Sequence, residues 1–123
     1  MSRNIKILLV EDEALIAMDL MRKLARSGYE GSSAVATGEE ALSVEESEHP
    51  DLLIMDNRLA GEMDGFEAAR RIHRRRAVPI ILVSGYDFDD YAPAIAEIHP
   101  LACFQKPLKF DELQKILAGA FPD

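Results

Sequence analysis

Short apolar runs alternate along this chain with longer stretches whose apolar residues recur at helical spacing. Ile5-Lys6-Ile7-Leu8-Leu9-Val10 reads as a buried strand. A helical stretch from Ala14 to about Ser27 follows, with Gly28 as its C-terminal stop. A weaker strand is expected near Ser32–Ala36, and Thr37 is a candidate N-cap for a Glu- and Ala-rich helix to about Glu48. Leu52–Met55 is the third strand. Asp64 can cap the next helix, where Phe66, Ala69 and Ile72 share a face. Val78-Pro79-Ile80-Ile81-Leu82-Val83 is a fourth strand, ending in Ser84-Gly85. Asp87, Asp89 and Asp90 can cap a short helix from about Phe88 to Ile98, with Pro93 in its first turn. Leu101–Gln105 is the fifth strand. The last helix starts near Asp111 and carries Leu113, Ile116, Leu117 and Ala120 on one stripe.

Strands that alternate with helices in this way imply an α/β fold: a doubly wound, five-stranded parallel sheet covered on both faces. For this size the flavodoxin-like (βα)5 arrangement, with strand order 2-1-3-4-5, is the expected one. The chain has 123 residues and no linker or repeat, so residues 1–123 are expected to form one domain. Ligand sites in such sheets lie beyond the carboxyl ends of the strands, near the point where strand order reverses.

Each strand's end therefore matters. The first presents Glu11 and Asp12, the third Asp56, the fourth Ser84 and the fifth Lys106. Clustered carboxylates repel one another unless a cation neutralises them, and an all-oxygen, partly hydrated site suits Mg²⁺. The main-chain carbonyl of Arg58 can add a ligand. Lys106 can meet a phosphate-like group, Ser84 can donate to it, and a carboxylate can itself be a phosphoryl nucleophile. The residues by themselves point to Mg²⁺-assisted phosphate chemistry around Asp56.

Composition narrows the partners. A net charge of −8 argues against nonspecific binding to nucleic acid or an anionic membrane. The run Arg70–Arg76 reads as cations at a helix C-terminus rather than a nucleic-acid patch. Glu39, Glu40, Glu45, Glu46 and Glu48 read as a solvated helix face. The one cysteine, Cys103, rules out an internal disulfide and reads as a buried small hydrophobe. The apolar run at Ile5–Val10 is too short to span a membrane, and a cytoplasmic protein is expected.

Five motifs in order, Leu9-Val10-Glu11-Asp12-Glu13, Leu53-Ile54-Met55-Asp56, Met63-Asp64-Gly65-Phe66, Pro79 through Gly85, and Lys106-Pro107-Leu108, resemble the CheY-like receiver domain of bacterial two-component response regulators. The resemblance implies that Asp56 is the phosphoacceptor, with Mg²⁺ bound by Asp12, by Glu11 mainly through water, by Asp56 and by the Arg58 carbonyl. It implies that Lys106 pairs with the phosphoryl group, that Ser84 with Gly85 forms the switch, and that a sensor histidine kinase or phosphotransfer protein is the donor. It further implies a stand-alone, non-enzymatic signalling protein. Output is expected to a downstream protein through the fourth helix, fifth strand and fifth helix, or to a second copy in a homodimer. The alternative is an interaction module that works without phosphorylation.

Three departures from the family's pattern stand out. The loop after Asp56 is one residue longer than usual, with Ala60 where proline is common. The usual switch aromatic is replaced by Cys103, with Phe104 on the opposite face. Tyr86 is the candidate to take over that relay. The fourth strand, Pro79 to Gly85, partly resembles a single-domain subgroup in its proline, hydroxyl and glycine but not in its aromatics.

Overall fold

The computed structural model describes residues 4–59, 61–85 and 88–122, apart from the side chain of Asp90. Eleven elements follow in order: β1 (Ile7–Val10), α1 (Ala14–Arg26), β2 (Ser33–Val35), α2 (Gly38–Glu48), β3 (Leu52–Asp56), α3 (Gly65–Arg75), β4 (Ile80–Ser84), a 3₁₀ turn (Phe88–Tyr91), α4 (Ala92–Ile98), β5 (Ala102–Gln105) and α5 (Phe110–Ala120). All strand pairs are parallel and the order is β2-β1-β3-β4-β5, as the alternation of elements implied.

The three central strands are buried along their whole length, which is why they read as unbroken apolar runs. Their residues divide by alternation. Leu8, Val10, Leu53, Met55, Ile80 and Leu82 pack with residues of α2, α3 and α4, including Phe66, Ile72 and Ile98. Ile7, Leu9, Leu52, Ile54, Ile81 and Val83 pack with α1 and α5, against Leu20, Leu24, Leu113 and Leu117.

Local chemistry sets the boundaries. The Thr37 side chain accepts from Glu40 N and the Asp64 side chain from Glu67 N, so both expected caps form. Gly28 takes φ +97° just after α1. His49 and His99, each followed by a proline, end α2 and α4 in the left-handed region, at φ 49° and 52°. The expected helix from Phe88 splits into the 3₁₀ turn and α4. Tyr91 holds the cap position of α4 and makes no side-chain cap, while Pro93 lies in the first turn. The Asp87 and Asp90 side chains, Ala60 and Tyr86 lie outside the described residues.

Two expectations are corrected. Glu45 is not part of a solvated face: it is 2% exposed. Arg75 and Arg76 reach from the end of α3 and pair with it at 3.1 and 2.7 Å, and Arg76 also donates to the Pro50 carbonyl. A buried carboxylate is tolerable there because two guanidiniums converge on it. The rest of the arginine run is likewise engaged by acids: Arg70 and Arg71 pair with Glu67, and Arg74 with Glu97. Cys103 is exposed, because β5 is the edge strand and its alternating residues Cys103 and Gln105 are left uncovered. The partial burial it retains pushes its thiol pKa up, away from reactivity. Phe104 packs half-buried on the α1/α5 side, opposite Cys103 as alternation required.

Among the described residues no helix is long and apolar enough to cross a membrane.

Candidate functional site

The strand ends converge because β1 and β3 are neighbours while their connections leave on opposite faces of the sheet. Val10 is in register with Met55, so Glu11 and Asp56 follow side by side. Glu11, Asp12 and Asp56 each offer a carboxylate oxygen, and these atoms lie within 4.8 Å of one another. Glu11 and Asp56 are buried and Asp12 is exposed. Glu11 also accepts from Glu13 N at 3.0 Å, which anchors the turn into α1.

Lys106 enters this cluster from the end of β5. Its Nζ lies 2.8 Å from Asp56 Oδ2 and 3.2 Å from Glu11 Oε1. Its own N–H donates to Ser84 O at 2.8 Å, so the lysine is fixed to the end of β4 before its side chain reaches across. Burial would lower the ammonium pKa. The hydrogen bond and charge of Asp56, helped by Glu11, outweigh that, and the pKa lies above the ordinary lysine value.

These charges open into a groove of about 630 Å³ between α1 and the segment after β5, lined by Glu11, Leu15, Ile16, Asp56, Gly85 and Lys106 among others. Ser84 is fully buried and does not line it. Alternation explains why. Asp56 continues the row of Leu52 and Ile54 toward α1 and α5, whereas Ser84 continues that of Ile80 and Leu82 toward α3 and α4. A Cβ on Gly85 would meet nothing within 4 Å, so a steric demand does not explain that glycine. Arg58 is exposed, two residues beyond Asp56.

Two residues here were given no role in the sequence reading. A Cβ on Gly65 would sit 1.7 Å from the Asp56 carbonyl oxygen. Only a hydrogen in place of a side chain lets the start of α3 press against the end of β3, and Gly65 N donates to Asn57 O at 2.9 Å in that contact. The sequence signal was the Asp-Gly pair opening α3. Asn57 is 4% exposed, and its side-chain amide donates to the Tyr91 hydroxyl at 2.8 Å across 34 residues. No local pattern announces that pair.

The donor set suits a hard, oxygen-preferring cation: carboxylates converge, with an ammonium to one side.

Comparison with known proteins agrees with this geometry. Residues 7–118 match the response regulator receiver domain family. The chain is 34% identical over 108 residues to the transcriptional regulatory protein PdtaR of Mycobacterium tuberculosis, covering 88% of this chain and 52% of PdtaR. It therefore spans about half that relative's length. It is 31% identical over 120 residues to sporulation initiation phosphotransferase F of Bacillus subtilis, covering 97% of this chain and 95% of that one. Among solved structures, the response regulator TrrA of Thermotoga maritima in complex with Mg²⁺ and BeF superposes with a TM-score of 0.84 at 29% identity, covering 95% of this chain and 99% of that one. The chain belongs to the response regulator receiver domain family.

Proposed function

We propose that Asp56 is the phosphoacceptor and that Mg²⁺ is the required cation. The observation that carries this reading is the placement of Lys106, 2.8 Å from Asp56 Oδ2 inside the carboxylate cluster. A carboxylate oxygen of Asp56 attacks the phosphorus of a phosphohistidine, the new O–P bond forms as the N–P bond breaks, and the donor imidazole leaves with the electron pair. The product carries more negative charge than the carboxylate it replaces. Lys106, already within hydrogen-bond reach, meets that charge without reorganising. Asp12, Asp56 and the Arg58 carbonyl would hold Mg²⁺, with Glu11 acting mainly through water; when bound, the cation neutralises phosphoryl oxygens. Ser84 supplies the switch hydroxyl, with Gly85 beside it. The chemistry is confined to gain and loss of one phosphoryl group, so the chain is a signalling protein rather than an enzyme.

The donor is a sensor histidine kinase or phosphotransfer protein. Its histidine must reach Asp56 through the groove, so its surface must cover the groove's rim. That rim includes the exposed side chains of Leu15 and Ile16, with Met18 further along α1. Apolar contact there would hold the donor while the phosphoryl group moves. Residues 1–123 are read as one receiver domain, cytoplasmic, with output to a downstream protein through α4, β5 and α5.

The test is incubation with acetyl phosphate, with and without Mg²⁺, read by intact mass. We expect a Mg²⁺-dependent gain of one phosphoryl group that Asp56→Asn abolishes. No adduct, or one that survives Asp56→Asn, would overturn the assignment.

A further inference from the structure

Asp56 and its neighbour Asn57 point into different halves of the molecule. Asp56 faces the groove beside α1. Asn57 continues the row of Leu53 and Met55 and faces α3 and α4, on the same side as Ser84. Its backbone is held at both ends of the residue: its N–H donates to Val83 O at 2.9 Å, and its carbonyl accepts from Gly65 N at 2.9 Å. A residue fixed to β4 and α3 in this way cannot shift without shifting the phosphoacceptor next to it.

Its side chain then reaches Tyr91, the residue at which the 3₁₀ turn becomes α4. The Tyr91 ring lies edge-on to Phe66 of α3, with centroids 4.3 Å apart, and Phe66 stacks on Phe88 at 6.2 Å. Aromatic packing seats the ring, and the hydroxyl selects one position within that seat. The amide of Asn57 would be costly to leave buried without its acceptor.

We infer that the Asn57–Tyr91 hydrogen bond is a clamp that ties the start of α4 to the phosphoacceptor strand in the unphosphorylated protein, and that phosphorylation releases it. The inference rests on Asp56 being the phosphoacceptor and on Ser84 moving toward the phosphoryl group. Ser84 leaves the row that faces α3 and α4 when it does so, and the packing on that side of the sheet, to which Tyr91 belongs, changes with it. Tyr91 is then displaced from Asn57, which stays fixed by its backbone bonds. The clamp is a two-state contact whose breakage both the phosphoryl group and α4 can sense.

Tyr91→Phe tests this, because it keeps the ring in its seat and removes only the hydroxyl. Amide exchange over residues 88–98 is measured with and without Mg²⁺ and beryllofluoride, together with the beryllofluoride affinity. In the wild type we expect beryllofluoride to raise exchange over this segment. In Tyr91→Phe exchange is already raised without beryllofluoride, and beryllofluoride binds about three- to tenfold more tightly, the worth of one neutral hydrogen bond passed on by linkage. A merely loosened fold would bind it more weakly. Asn57→Ala combined with Tyr91→Phe should add little to either single change. If the wild type binds beryllofluoride and Tyr91→Phe matches it in exchange and affinity, the clamp is wrong while the phosphoacceptor assignment stands. If the wild type binds no beryllofluoride, both fall.

Discussion

Among the described residues, buried carboxylates occur in two places, and they are compensated in opposite ways. At Glu45, two guanidiniums converge on one carboxylate, from Arg75 at 3.1 Å and Arg76 at 2.7 Å. At the sheet edge, two buried carboxylates, Glu11 and Asp56, converge on one ammonium, and the Asp12 carboxylate lies close by. The first arrangement satisfies its charge from within and joins α2 to α3. The second leaves negative charge that a cation can answer. A charge excess at a site with an open groove is what lets an external group bind and change the protein; a charge balanced internally gives such a group nothing to act on.

The most severe way to break one region and spare the other is Gly65→Ala. Its Cβ would fall 1.7 Å from the Asp56 carbonyl oxygen, and the backbone there has no flexible end to yield. The start of α3 must move away, or Asp56 must. We expect a loss of about 3 kcal/mol in stability by urea denaturation. Phosphoryl adduct formation should fall more than the folded fraction does, because the displaced residue is the proposed acceptor.

Neutralising one carboxylate in each region should move stability in opposite directions. Glu45→Gln removes the charge that two guanidiniums share, leaving Arg75 with Glu46 and the Leu42 carbonyl and Arg76 with the Pro50 carbonyl. The two arginine side chains are 40% and 36% exposed, so water relieves part of the cost, and we expect a loss of about 2 kcal/mol rather than the full penalty for a broken buried pair. Asp56→Asn without Mg²⁺ relieves repulsion and should gain about 1 kcal/mol. Adding Mg²⁺ should raise the wild type's midpoint and leave Asp56→Asn nearly unmoved. Equal signs for the two variants would collapse the distinction.

How much of this was legible in the sequence follows from which signals are local. The fold was readable because buried parallel strands are unbroken apolar runs and their caps, Thr37 and Asp64, stand where the helices start. Glu11, Asp12, Asp56 and Lys106 were readable because each stands at or just past the end of a strand, and strand ends gather by topology. Glu45 was not readable. Its burial depends on which side of α2 meets α3, and Gly38–Glu48 has too few apolar residues to declare a face. Asn57 and Tyr91 are 34 residues apart, and nothing near either marks it as the other's partner. The exposure of Cys103 follows from its edge position and from what leaves its face uncovered, which strand order alone does not give.

The mildest test concerns Lys106. Its pKa is raised in the folded protein, so the proton binds more tightly to the native than to the unfolded chain. The stabilisation this provides is fully present below the ordinary lysine value of 10.5 and is lost only as pH rises through the higher folded value. Stability differences between wild type and Lys106→Met, measured without Mg²⁺, should therefore stay constant from pH 7 to pH 9 and change only in stronger alkali. A difference that changes near neutrality would mean the ammonium is losing its proton there. Asp56 and Glu11 would then be failing to hold it, and the excess of negative charge that separates this site from Glu45 would be smaller than the geometry implies.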